Sequence, residues 1–175
     1  LLECSGNGDF AKFGMLSTAE WTGVPVMEVL AQVNISPSAT RVLITGFDDH
    51  SQPSSRSTAG AAWVFTFDEL SQFGAFFATE MNGVPLPRDH GRPLRLIMPR
   101  WFGCTCIKWV EDVELVDNDV RATSQMTEFA SRTHQTRAHA FARDYRSASM
   151  QQAAMPIRIE QWRVNGDITY RVVGI

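Results

Sequence analysis

Two Asn-Gly dipeptides, Asn82-Gly83 and Asn165-Gly166, each stand between runs of strand-forming residues, and they constrain the fold more than any other feature of the chain. A two-residue turn of this kind needs positive φ at both central positions, which asparagine and glycine tolerate, and it leaves its flanking strands antiparallel. The first predicts a hairpin from residues 76–81 back through 84–87. The second predicts a closing hairpin of 157–162 against 168–173, with clean alternation of apolar and polar side chains. Further strands are expected at 41–45, ended by Gly46, at 61–67 and at 94–99.

Helices are fewer. Val26, Met27, Val29, Leu30 and Val33 have helical spacing, and Pro25 fits a first helical turn, so 24–33 is expected to be helical. Asp68 is expected to cap or open a brief helix through Phe73. Residues 50–59 are rich in Ser and Pro and read as irregular surface. Residues 123–143 form a polar, helix-tolerant stretch whose only apolar stripe is Met126, Phe129 and Ala130. Together these elements predict an α+β fold of mixed twisted β-sheets with helices packed outside. With 44% hydrophobic residues, five tryptophans and eleven phenylalanines, the chain has material for a sizeable core.

The formal net charge is -3 and basic residues are interspersed with acidic ones, so neither a nucleic-acid footprint nor a polybasic membrane patch is expected. No apolar run reaches the length of a bilayer span. Lys12 and Lys108 are the only lysines, and the arginine bias suits a phosphate or carboxylate ligand, although genomic base composition produces the same bias. Three cysteines make no disulfide framework. Cys104 and Cys106 alternate about Thr105 as strand residues do, and the pair is too small and too closely spaced for a zinc site.

Cys4 differs from those two. It follows a short apolar lead and precedes a glycine-rich turn, a place where a sulfur can face a cleft and serve as ligand or nucleophile, although an isolated cysteine more often packs as a small hydrophobe. Arg95 and Lys108 pose a second question, because each interrupts a strand-like stretch, Arg95 among aliphatic residues and Lys108 between Ile107 and Trp109. A buried charge needs solvent, a structural Asp or Glu, or an anionic ligand. The chain opens on Leu1 and closes on residues 170–175 in strand-like sequence, and so reads as a piece of a longer protein.

Five stretches taken together resemble the molybdopterin-binding domain of the sulfite oxidase type. They are Glu3-Cys4-Ser5-Gly6-Asn7, Ser17-Thr18-Ala19-Glu20-Trp21-Thr22-Gly23-Val24-Pro25, Gly46-Phe47-Asp48, the segment 80–95 containing Asp89-His90-Gly91-Arg92-Pro93-Leu94-Arg95, and Ile107-Lys108-Trp109. They occur in the family's order over roughly the first two thirds of the chain. The resemblance implies a molybdenum–molybdopterin cofactor with Cys4 as catalytic residue and the one protein ligand to the metal. It implies that Asp48, His90, Arg95 and Lys108, with backbone near Cys106 and Ile107, hold the pterin and its phosphate. A soft thiolate suits such a metal. The implied reaction is two-electron oxygen-atom transfer to or from a small substrate, with an external haem protein or other electron acceptor.

The same resemblance divides the chain into the cofactor domain at 1–152 and, at 153–175, the start of an immunoglobulin-like dimerisation domain, implying a homodimer in the full-length protein. Relatives of this type are often exported, and the family's strand ahead of the cysteine is not in this sequence. Two departures stand out. Sulfite-oxidising members carry an arginine shortly after the glycine-asparagine turn, where this chain has Gly8, Asp9 and Phe10, and a tyrosine where it has Phe129. Each charge-assisted hydrogen bond so lost is worth roughly 1.5–3 kcal/mol, which argues against sulfite as substrate. Arg132 and His134 are candidate replacement donors, Arg132 the preferred one, although their stretch also reads as a solvated face. Two other readings remain at this point: a non-catalytic domain that keeps the fold as an assembly surface, and a cysteine hydrolase pairing Cys4 with His90 or His134.

Overall fold

A computed structural model describes residues 1–6, 14–47, 60–150 and 156–174 as small antiparallel sheets with a few short helices. A three-stranded sheet has β4 (Arg41–Gly46) at its centre, between β5 (Ala61–Thr66) and β9 (Val110–Val116). Strand alternation turns Val42 and Ile44 inward, where Ile44 opposes Trp63 on one side and Val113 on the other. A second sheet centres on β6 (Phe76–Met81), which pairs with β3 (Trp21–Pro25), with β7 (Val84–Pro85) across the Asn82-Gly83 turn, and with β8 (Arg95–Ile97). Two smaller pairs complete the described strands: β1 (Leu2–Glu3) with β2 (Leu16–Ser17), and β10 (Pro156–Val164) with β11 (Asp167–Gly174).

The core joins the two larger sheets through aromatic packing. Trp101 is buried with its ring 5.7 Å from Phe65 and 5.7 Å from Phe73. Leu70, Leu96, Met98 and Met126 fill the space around them. Helix α2 (Phe67–Gln72) begins at a capping box in which Glu69 N–H donates to Thr66 Oγ1 at 3.0 Å and Thr66 N–H donates to Glu69 Oε2 at 2.9 Å. Thr66, not Asp68, is therefore the cap.

Three expectations change in detail. Residues 24–33 do not form one helix. Trp21–Pro25 is drawn into β3 by pairing with β6, and α1 spans only Val26–Leu30, starting after Pro25. Cys104 and Cys106 do not lie on a strand, because Gly103–Thr105 forms a 3-10 turn closed by Thr105, whose N–H and hydroxyl both donate to the Phe102 carbonyl. The polar stretch at 123–143 is helical only at α3 (Ser124–Glu128) and in the single turns Ala130–Arg132 and Ala142–Asp144. The hairpins at Asn82-Gly83 and Asn165-Gly166 and the strands at 41–46 and 61–66 form as expected. Residues 50–59 lie outside the described part. No helix among the described residues is long and apolar enough to cross a membrane.

Candidate functional site

Arg95 and Lys108 become neighbours because the chain at 107–110 runs beside β8. Leu96 N–H donates to the Ile107 carbonyl at 2.8 Å and Val110 N–H to the Leu94 carbonyl at 2.9 Å. Lys108 is thus not inside β9: Trp109, at φ 50°, separates it from the strand. Glycine at position 46 allows this approach, since a Cβ there would lie 2.1 Å from the Lys108 carbonyl oxygen. At Gly91, with φ +111°, a Cβ would come within 3.2 Å of both Arg95 and Lys108.

The 3-10 turn Arg88–His90 then organises the cations. Its three successive carbonyls each accept from a side chain: Arg88 from Trp109 Nε1 at 3.0 Å, Asp89 from Lys108 Nζ at 3.1 Å, and His90 from Arg95 Nη1 at 3.3 Å. The Arg95 guanidinium carbon also sits 5.1 Å from the centre of the Trp21 ring, and Lys108 Nζ 4.1 Å from that of Trp109. Arg95 is only 9% exposed, and its Nε is buried with no hydrogen-bond partner among the described residues. Neither cation pairs with a carboxylate among those residues. Burial lowers the pKa of Arg95, opposed by Cys106. Burial and the Arg95 charge lower that of Lys108, opposed by Asp89.

Both cations line two cavities. One, of about 430 Å³, is bounded also by Leu2, Trp21, Asn82 and His90. The other, of about 340 Å³, is bounded by Cys104, Cys106, Ile107, Gln125 and Phe129. A third, of about 590 Å³, lies against Trp109 and Asp89, between Phe47, Arg88 and Arg92. Cys4 belongs to the segment whose Leu2 lines the larger of the two shared cavities. It is half-buried, with its N–H donating to the Met15 carbonyl at 3.0 Å and its Sγ accepting from Gly6 N–H at 3.4 Å. It is not among the residues lining the two cavities. Burial pushes the Cys104 thiol up to about 12, opposed by Ser5, with small further rises from Cys106 and then Cys4.

Cys106 is fully enclosed, and burial raises its pKa too. Its sulfur accepts from Met98 N–H at 3.4 Å and lies 3.9 Å from the Met98 carbonyl. The Cys106 N–H donates to Gly103 and the Ile107 carbonyl accepts from Leu96, so these backbone groups are already engaged. Phe129 forms part of the smaller cavity wall, and the guanidinium of Arg132, an exposed residue outside that lining, lies 5.7 Å from its ring. His134 is drawn elsewhere: its Nε2 lies 2.9 Å from the Ser149 carbonyl, and its ring meets Phe102. Asp48, Gly8, Asp9 and Phe10 lie outside the described residues.

Residues 1–124 match the family described as the oxidoreductase molybdopterin binding domain. The chain belongs to that family. It is 32% identical to mitochondrial sulfite oxidase of Macaca fascicularis over 128 residues, covering 65% of this chain and 23% of that protein. It is 32% identical to the NADPH nitrate reductase of Fusarium oxysporum over 100 residues, covering 57% of this chain and 11% of that enzyme. The sulfane dehydrogenase SoxCD of Paracoccus pantotrophus superposes with a TM-score of 0.56 at 25% identity, covering 64% of this chain and 29% of that chain. The chain thus spans about a quarter or less of the curated relatives it matches.

For a molybdopterin-binding domain, the informative residues that sequence reasoning missed are Trp21, Trp109, Asp89 and Gln125. Gln125 accepts from Ala62 N–H at 2.8 Å and donates to the Cys104 carbonyl at 2.8 Å, tying the Gly103–Thr105 turn to β5. Trp21, Asp89 and Trp109 stand within the stretches that carry the family resemblance, but nothing local shows what they touch, because their partners are brought in from distant sequence.

Proposed function

We propose that this chain carries the cofactor-seating part of a molybdenum–molybdopterin oxidoreductase. In this reading residues 1–152 form a sulfite-oxidase-type α+β domain and 153–175 begin an immunoglobulin-like dimerisation domain. The observation that carries it is Arg95 and Lys108, two neighbouring cations on the shared walls of two cavities, with no carboxylate partner among the described residues. A buried cation lacking an anion is costly, so the arrangement fits a site completed by an anionic ligand. Cavities of about 430 and 340 Å³ suit a small cofactor.

Arg95 and Lys108 would hold the phosphate, His90 and Asp48 the pterin, and Cys4 would give the metal its thiolate, with Cys106 and Ile107 supplying enclosing backbone. Among the described residues no three His, Cys, Asp or Glu gather into a metal-ligand set, so the remaining donors would belong to the cofactor. When bound, that cofactor supplies two-electron oxygen-atom transfer, with electrons leaving to an external haem protein or other acceptor. The chain's own residues neutralise the phosphate and fix its orientation. Phe129 presents no hydroxyl to the smaller cavity, which disfavours sulfite and leaves Arg132 as the nearby donor for another small substrate.

Full-length protein from a cofactor-competent host is expected to contain molybdenum approaching one atom per chain. Cys4→Ser is expected to abolish turnover while leaving the circular dichroism spectrum unchanged. Metal-free protein from that host would instead support a non-catalytic domain that keeps the fold as an assembly surface, and full turnover by Cys4→Ser would remove Cys4 from the mechanism.

A further inference from the structure

Gln125 lines the smaller cavity, yet both ends of its amide are engaged by backbone. Its Oε1 accepts from Ala62 N–H at 2.8 Å and its Nε2 donates to the Cys104 carbonyl at 2.8 Å, so the two partners fix which way the amide faces. Ala62 lies on β5, an edge strand of its sheet, and its carbonyl accepts from Thr123 Oγ1 at 2.7 Å. The start of α3 thus covers this edge with two side chains, and of these two Gln125 alone reaches on to the Gly103–Thr105 turn. What it joins is cavity wall on both sides. The run that leaves the turn supplies Cys104, Cys106, Ile107 and Lys108 to the lining. One turn along α3, Phe129 lines the same cavity, its N–H donating to the Gln125 carbonyl at 3.0 Å.

We infer that Gln125 is a positioning residue of the cofactor site: it holds the Gly103–Thr105 turn to β5 and so sets the wall that presents Lys108 and Phe129. The inference rests on the reading of this cavity as part of a molybdopterin seat. An uncharged amide suits the place, because one end must accept and the other donate. Glutamate has nearly the same shape. Ionised, it turns an acceptor toward the Cys104 carbonyl and leaves that carbonyl without its donor. Protonated, it restores the pair, its O–H donating to Cys104 while the other oxygen accepts from Ala62. Gln125→Glu therefore offers the contact in a broken and a repaired form, switched by pH.

The test uses full-length protein from a cofactor-competent host, at a temperature where each variant is folded by circular dichroism, and reads molybdenum retained after dialysis. At about pH 8 Gln125→Glu is expected to hold the cofactor about 10-fold more weakly than wild type, as residues that orient a metal site from behind do. The deficit is expected to close towards about pH 5, because burial and the facing carbonyl raise a glutamate here above its ordinary pKa of about 4.3. Dividing by wild type at each pH removes the titration of Asp89, His90 and Glu128, which line the cavities in both proteins. Gln125→Met, of similar length and with neither bond, is expected to show the loss without recovery. Thr123→Val removes the other bond to Ala62 and the cap on α3, and is expected to lower the thermal midpoint with retention close to wild type. In cofactor-free protein, hydrogen exchange across residues 101–108 is expected to quicken in the two Gln125 variants at about pH 8 and not in Thr123→Val. Wild-type retention in Gln125→Met, an equal loss in Thr123→Val, or a Gln125→Glu deficit that persists at low pH gives Gln125 a part in the fold alone. Each overturns the inference and leaves the cofactor reading intact. Wild-type protein that holds no molybdenum overturns that reading, and the inference with it.

Discussion

Arg95 is the residue on which the proposed cofactor site turns. Its guanidinium has one carbonyl acceptor, one aromatic face and one buried nitrogen without a partner among the described residues, so most of its hydrogen-bonding capacity is left for a ligand. Replacing it with glutamine removes a charge-assisted contact worth roughly 1.5–3 kcal/mol, and Lys108→Gln removes a comparable one. Each variant is expected to hold the cofactor about 10- to 150-fold more weakly, read as molybdenum retained after dialysis. Trp21 supports Arg95 from the cavity wall, so Trp21→Ala is expected to weaken retention by about 0.5–2 kcal/mol and Trp21→Phe to restore most of it. Retention unchanged in Trp21→Ala would show that the stack does not position the guanidinium. A pH dependence follows from Lys108. Burial lowers its folded pKa below the ordinary lysine value, so the folded state binds that proton less tightly than the unfolded chain. Its contribution to folding stability therefore rises as pH climbs through the window between the two, while its attraction for phosphate falls. Cofactor retention in the wild type is expected to decline on approach to the lysine range, and in Lys108→Arg that decline should move to higher pH. Both cations stood out in the sequence, Arg95 among aliphatic residues and Lys108 between Ile107 and Trp109. Their aromatic supports did not, because Trp21 reaches Arg95 only through the β3, β6 and β8 strand order.

At the scale of elements, alternation and turn chemistry were legible wherever one strand face is buried. β4 shows this most clearly, with Val42 and Ile44 inward, and β6 and β7 close at Asn82-Gly83 as type I′ preferences require. The 24–33 helix was misread because apolar residues at helical spacing also suit an edge strand. Pairing of Val24 with Phe77 decides in favour of β3 up to Pro25. The strand expected at Cys104 and Cys106 failed for a similar reason, since alternation over three residues cannot reveal that the Thr105 hydroxyl bonds back to Phe102. Helix α2 offers a direct measurement. Thr66→Ala removes one half of the capping box and is expected to cost about 1 kcal/mol in urea unfolding. Glu69→Ala should cost more, because Glu69 also accepts from Ser147 at 2.6 Å and so ties α2 to a segment far along the chain. Equal losses in the two variants would show that the Ser147 contact contributes nothing.

For the whole molecule, the division near residue 152 makes the sharpest claim. The β10–β11 register opposes Ile159 with Val172, Gln161 with Tyr170 and Arg163 with Ile168, placing Ile159, Ile168, Tyr170 and Val172 on one face. All four are more than half exposed, and an isolated two-stranded hairpin with such a face is marginal in water. Among the described residues its ion pairs, Arg158 and Arg171 to Glu160, remain within the hairpin. The Trp101, Phe65 and Phe73 cluster, by contrast, is built entirely from residues 65–101 and does not draw on the hairpin. If 153–175 belongs to a separate folding unit, ending the 175-residue chain at residue 152 should leave the thermal midpoint of the remainder within about 2 °C, since the core that sets it is intact. The same truncation should reduce self-association in sedimentation, because the exposed apolar face is gone. A midpoint lowered by about 2–4 °C would correspond to roughly 1 kcal/mol of lost packing for a domain of this size, and a larger drop would join the hairpin to the rest of the chain as one cooperative unit.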